Sequence, residues 1–309
     1  MRIATITKII FIIFIIIMIL FFLLLIILIE INSNQNNFSK NIYFNGEKAY
    51  KDVEYQISLG PRIPGSTSHD QTTNWIIKTL DQNNWKPKIF TDNVADIKIS
   101  NIIGSQGKGR PWIIIGAHYD SRIFADRDKL EANQILPVPG ANDGASGVAI
   151  LLELSRIIDR NILEQSWAKQ IWLVFFDAED NGNIPGWSWI MGSQSFADNL
   201  NEKPDLVVIL DMVGDADLNI YQEVNSDKKY RDEIWRIAAQ LGYEKYFISE
   251  VKYNIIDDHI PFIQRGIPAV DIIDFDYPYW HTISDTSDKV SAQSLAIVGN
   301  TILTWLITP

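Results

Sequence analysis

The chain reads as an α/β domain on a mixed, mostly parallel sheet, preceded by one transmembrane helix. Three observations carry this reading. Short runs rich in Ile and Val alternate with helix-length segments, the pattern of a sheet buried between helices. IIIGAHYD, LVFFDAED, VVILDMVGD and AVDIIDFDYPYWH each run oily and then turn polar at the carboxyl end. Residues 9–29, IIFIIFIIIMILFFLLLIILI, carry no charge over about the length a helix needs to cross a bilayer.

Taken in order, Arg2 and Lys8 precede the apolar run and Glu30 follows it. The positive-inside rule then makes residues 1–31 a cytoplasmic tip and signal anchor, with the rest of this single-pass chain extracytoplasmic. The run exceeds the core of a cleaved signal peptide, and no small-residue cleavage site follows Ile29. Residues 32–44 form a polar tether, and residues 45–309 the folded domain. Within it, residues 45–60 are helical and end at Gly60. GPRIPGSTS, residues 60–68, is turn-rich, and residues 72–84 return to helical spacing at Trp75, Ile76 and Leu80. KISNIIG and PWIIIGAHYD bracket GSQGKGRP, which reads as the turn of a hairpin between them. GASGVAILLELSRIID is a buried helix, and KKYRDEIWRIAAQLG an amphipathic one closed by Gly242. QIWLVFFDAED, PDLVVILDMVGD and IPAVDIIDF are strands, and SAQSLAIVGNTILTWL is a last helix.

Composition excludes several classes. A formal charge of −11 argues against a nucleic-acid binder, which needs a basic face. With no cysteine there is no disulfide, thiol nucleophile or cysteine zinc site. No G-x-S-x-G elbow, H-E-x-x-H helix or glycine-rich phosphate loop occurs.

In open α/β sheets the ligand site lies outside the carboxyl ends of the strands. Those ends present His118 and Asp120, then Glu179 and Asp180, then Asp211, and finally His281; the loop PGANDGASG adds Asp143 before a helix. Two histidines and several carboxylates without cysteine suit a zinc-like ion. An ion also accounts for Asp177, Glu179 and Asp180 crowding within four positions. Singly, each residue has an ordinary alternative: Asp143 is a helix-cap type, a strand-end Asp a turn former, a lone His a core residue. Their convergence on one rim favours a metal site. Alternation along a strand lets Glu179 and Asp180 do different work, and Asp177 has no assigned chemistry.

GAHYDSR, GANDGASGVAILLEL, FFDAED, LDMVGD, DDHIPF and WHTISDT occur in this order, after GPRIPGS. Together they resemble the zinc aminopeptidases of metallopeptidase family twenty-eight and their relatives, the glutaminyl-peptide cyclotransferases. The resemblance spans about residues 45–307. It implies a three-layer αβα sandwich of the zinc-aminopeptidase type, acting on peptides or proteins with a free N-terminus. It also implies roles. Asp143, Asp180 and His281 match the ligands of the shared zinc, and His118 and Asp211 those of a second zinc in the aminopeptidases. Asp120 would fix the His118 ring. Glu179 matches the general acid/base. Zinc would number one in a cyclotransferase and two in an aminopeptidase.

The branches differ in what attacks. In an aminopeptidase Glu179 takes a proton from water; in a cyclotransferase it takes one from the substrate's own α-amine, which closes a five-membered ring. Three features resemble the cyclotransferases of bacteria that look like the animal type: Asp257 in DDH, Trp280 before His281, and Asp180 in DAED. In that branch Glu179, Asp257 and Asp211 form the catalytic set, and Trp280, Trp187 and Tyr277 are pocket aromatics. A non-enzymatic ectodomain is the third reading; such proteins lose ligands, and every ligand position here carries a competent side chain.

Overall fold

The computed structural model describes residues 43–308 and, further toward the N-terminus, Ile17, Met18, Phe21 and Phe22, which are helical. The expected membrane span otherwise lies outside the described residues, as does most of the tether. Among the described residues no helix is long and apolar enough to cross a membrane. The chain divides into two units, Met1–Tyr43 and Phe44–Pro309, and the second is described below.

Helix α1 (Gly46–Leu59) starts where the Asn45 side chain accepts the Lys48 N–H, and stops at Gly60 with φ 99°. Helix α2 (Thr67–Gln82) begins earlier than its apolar periodicity indicates. Its first turn is polar, and the start is marked by the Ser66 side chain capping the His69 N–H. Strands β1 (Lys86–Val94) and β2 (Ile97–Gly107) form a hairpin through Ala95 and Asp96, both at positive φ.

β2 and β3 (Trp112–His118) are not the hairpin expected from GSQGKGRP. Strand β4 (Gln170–Phe176) lies between them, antiparallel to β2 and parallel to β3. The connecting loop instead seats the start of β4: Lys108 donates to the Lys169 carbonyl, and Lys169 to that of Pro111. A local turn pattern carries no information about a strand arriving much later in the chain.

Strands β5 (Leu206–Asp211) and β8 (Ala269–Ile273) extend the parallel part, giving the order β1-β2-β4-β3-β5-β8. Strands β6 (Ile220–Glu223) and β7 (Phe247–Tyr253) make a separate parallel pair. Helix α3 (Ala145–Ile157) lies against β3 with α1 and α8 (Ala292–Ile307) packed beside it. A short α4 (Arg160–Gln165) leads into β4, and α6 (Lys228–Gln240) packs on α8. On the opposite face α5 (Met191–Asp198) and α7 (Ile260–Gln264) insert Phe196 and Phe262 among Ile114, Val174, Phe176, Val207 and Ile209. The sheet is therefore mixed and covered on both faces. Each buried Ile or Phe contributes about 1.5–3 kcal/mol, and this apolar stack supports a rim crowded with like charges. Register puts His118 beside Phe176 and Asp211 beside Ile273, so the four parallel strands end on one rim.

Candidate active site

The polar residues at this rim follow sharp backbone turns. Ala178, Met212 and His281 have φ of 54°, 46° and 55°, and Gly144 has φ 73°. Left-handed non-glycine residues are uncommon and gather where surrounding structure dictates a side chain's direction. Here they sit just before Glu179, just after Asp211, and at His281 itself. At Gly144 a Cβ would lie 2.8 Å from His118 Cε1, so only glycine lets the loop press Asp143 against that ring.

Asp143 stands between two histidines. His118 Nε2 lies 3.1 Å from Asp143 Oδ1 and 3.1 Å from Asp211 Oδ1. His281 Nε2 lies 2.8 Å from Asp180 Oδ1 and 3.8 Å from Asp143 Oδ2. Each ring faces an aspartate from behind through Nδ1, Asp120 at 3.5 Å and Asp126 at 3.5 Å, close enough for charge to act but not hydrogen-bonded. Asp120 does more than orient His118: its carboxylate also accepts the N–H groups of Glu179 and Asp180 and the Asn181 amide. It thereby shapes the turn that presents both acids. Asp285 accepts the Asn142 and Asp143 N–H groups in the same manner.

Two donor groups result, Asp143–Asp180–His281 and His118–Asp143–Asp211, each with ligand atoms within 4.8 Å of one another. The first fits a divalent cation. Asp143 Oδ2 and Asp180 Oδ2 are buried and have no hydrogen-bond partner among the described residues, a costly arrangement that a cation relieves.

Asp143, Glu179, Asp180, Asp211 and Asp257 line a cavity of about 310 Å³ walled by Trp189, Ile255, Ile256, Ile273, Phe275 and Trp280. Burial, joined by the charges of Asp180, Asp257 and Asp258, pushes the Glu179 carboxyl well above the carboxylate range despite His118 nearby. Burial and Asp143 move Asp180 up to about 6, and burial with Asp257 and Asp143 moves Asp211 up to about 7. Asp143 goes the other way, because His118, His281 and Arg122 outweigh its burial. His281 rises to about 9, its burial overcome by Asp180 and Asp126.

Two expected pocket aromatics lie elsewhere. Trp187 does not line this cavity; it packs on Ile99, Ala178 and Met191. Trp189, two residues on, lines it and stacks on His281 at 5.9 Å between ring centres and 15° between planes. Residues 181–190 turn irregularly, so no periodicity distinguishes the two indoles of WSW. Tyr277 is buried under the site, where its hydroxyl donates to Asp285 at 2.6 Å. Phe275, Arg122 and Asp126 were missed: Arg122 lies inside HYDSR, but nothing in that string shows what its guanidinium reaches. Asp177 acquires a role, accepting from His69 and from the Ser100 N–H.

The model of peptidase family M28 matches residues 101–306, and the chain belongs to that family. Among solved structures the Tannerella forsythia glutaminyl cyclase is 35% identical with a TM-score of 0.78, over 86% of this chain and 99% of that one. A leucine aminopeptidase precursor from Bacteroides thetaiotaomicron is 32% identical with a TM-score of 0.80, over 86% of this chain and 98% of its own. The Drosophila melanogaster glutaminyl-peptide cyclotransferase is 24% identical over 278 residues, 78% of this chain and 75% of that protein. The matches to snake cyclotransferases span about 61% of those proteins' length. The fold is thus the α/β fold of the zinc aminopeptidases and glutaminyl cyclases.

Proposed function

We propose that the protein is a zinc-dependent glutaminyl-peptide cyclotransferase, converting N-terminal glutamine of peptides and proteins to pyroglutamate with release of ammonia. The observation that carries the reading is that Glu179 and Asp257 both line a small cavity walled by Trp189, Phe275 and Trp280. Ring closure is intramolecular, so the site has to fold the glutamine side chain back on its own amine and keep water away. Aromatic walls suit both tasks. Asp257 holds the α-amine. Glu179, raised by burial and by its acidic neighbours, takes one proton from that amine. The α-nitrogen bonds to the side-chain carbonyl carbon, the bond from that carbon to the amide nitrogen breaks, and Glu179 returns the proton to the departing ammonia. Asp143, Asp180 and His281 would hold one zinc ion, which supplies Lewis-acid stabilisation of charge on the side-chain carbonyl oxygen.

A zinc aminopeptidase is the second reading. The group His118–Asp143–Asp211, which shares Asp143 with the first, favours it as a two-ion site. A Gln-initiated and a Leu-initiated peptide separate the two. Cyclisation releases ammonia from the first and leaves the second intact; free leucine without ammonia overturns the proposal. The uncharged run of residues 9–29 supports an anchored chain with its catalytic domain outside the membrane. Resistance to carbonate extraction and digestion by external protease are the expected results.

A further inference from the structure

We infer that Arg122, acting with Asp126, is a positioning residue that sets the relative orientation of Asp180 and His281. The inference rests on the reading of those two side chains as ligands of one ion.

Arg122 is 1% exposed. Its guanidinium forks onto Asp126, with Nε 2.8 Å from Oδ1 and Nη2 2.6 Å from Oδ2. Nη1 also donates to the Asp180 carbonyl at 2.7 Å, and both terminal nitrogens donate to the Gly182 carbonyl at 3.2 Å. Asp126 in turn lies 3.5 Å from His281 Nδ1. One rigid, planar group thus grips the backbone of one ligand and, through a carboxylate, the ring of the other. A third contact completes the device. The guanidinium carbon lies 5.0 Å from the centre of the Trp189 ring, whose stacking on His281 is described above. Gly182 permits this: a Cβ there would lie 2.1 Å from Trp189 Cδ2. Asp180 and His281 lie 101 positions apart in the chain, and Arg122 belongs to neither segment. Its side chain contacts Asp180 directly and reaches His281 through Asp126 and Trp189.

A buried arginine could instead serve only the fold. The chain contains a second forked arginine as control, less buried than Arg122: Arg156 forks onto Asp52 at 2.6 and 3.0 Å, joining α3 to α1 away from the rim. Competition with a chromogenic chelator on the full chain in detergent reads zinc affinity without reference to turnover. Arg122→Ala and Asp126→Asn should each weaken zinc roughly 10–100-fold, the range for outer partners of ligands. Arg122→Lys, which keeps the charge but cannot fork, should recover only part of the loss. Arg156→Ala should stay within about twofold of the parent. The visible bands of cobalt-loaded protein should shift in the Arg122 variants and not in Arg156→Ala. If Arg122→Ala does not fold, Arg122→Lys and Asp126→Asn carry the test. Affinity and cobalt bands unchanged in the Arg122 and Asp126 variants, or an equal loss in Arg156→Ala, overturn the inference while the zinc reading stands. A parent that holds no zinc removes the reading and the inference with it.

Discussion

The four histidines divide into two pairs that differ in what their second nitrogen meets. All four are buried and all four sit beside carboxylates. His118 and His281 each turn Nδ1 to a single supporting aspartate and Nε2 into a cluster of acids lining the cavity. His69 instead points Nε2 at Asp177 and stacks on Tyr119, and among the described residues no carboxylate faces its Nδ1. His259 lies between Glu223 at 3.3 Å and Asp271 at 3.7 Å, below the rim and with no exposure. With Asp257 and Asp271 it forms a third compact donor group, yet of these three only Asp257 lines the cavity. Burial pushes the Asp271 carboxyl well up, with Asp257, Asp211 and Glu223 adding to it, so a proton on Asp271 relieves the crowding there. Residue type and burial are therefore poor guides to function in this chain. What separates the pairs is whether Nε2 faces the acids that line the cavity.

The largest effect should fall on the first pair. On the proposed reading His281→Ala removes a zinc ligand and should weaken zinc by more than the roughly 10–100-fold expected of an outer partner, with turnover lost in proportion. His259→Gln should lower thermal stability and leave zinc affinity near the parent's. Equal zinc losses in the two variants would erase the distinction. Next comes Glu179→Gln, which should cut turnover roughly 10²–10⁴-fold while zinc stays bound; near-parent turnover would take the proton-transfer role from Glu179. His118→Ala is smaller and more discriminating. In the one-ion reading zinc per chain is unchanged and turnover drops by roughly tenfold, because Asp143 and Asp211 lose the ring between them. A fall from two ions to one would establish the aminopeptidase arrangement.

Much of the rim was legible because its physics is local in sequence. A buried parallel strand has to be oily, so an acid or histidine where the oil stops stands at the strand's carboxyl end, and parallel neighbours bring such ends together. That logic reaches His118, Glu179, Asp180 and Asp211; Asp143, in the loop before α3, and His281, in the loop after β8, join them through the resemblance of their motifs. It cannot reach Arg122 or Asp126, whose partners are set by how a long loop folds over the rim. Nor can it choose between Trp187 and Trp189, since a two-residue step in an irregular segment exchanges core for cavity. Pairing of β2 with β4 was hidden for a related reason. Turn residues record where a chain bends, whereas strand order depends on which apolar edge arrives to be covered.

The smallest predicted effect lies in the second pair and is a pH dependence of stability. Burial opposes a charge on His69, but the hydrogen bond and charge of Asp177, aided by Asp120 and Asp70, outweigh it and raise the pKa. A group with a raised folded-state pKa binds its proton more tightly when folded. Its stabilisation is therefore complete below the unfolded value of about 6.5 and disappears as pH rises through the folded value. His69→Gln keeps a neutral donor for Asp177 and removes the charge, along with a stacking contact on Tyr119 whose loss does not depend on pH. At pH 6 the parent should exceed this variant by about 1–2 kcal/mol, roughly 2–8 °C in Tm, and the gap should narrow steadily toward pH 9. Measuring the difference between parent and variant cancels the titration of the rim carboxylates, which both proteins share. Because His69 contacts Asp177 and not the ligands, zinc affinity should not follow the same curve. A gap that is constant or widens with pH would mean that His69 is neutral in the fold. A zinc affinity that tracks the gap would mean that the two pairs of histidines are not independent after all.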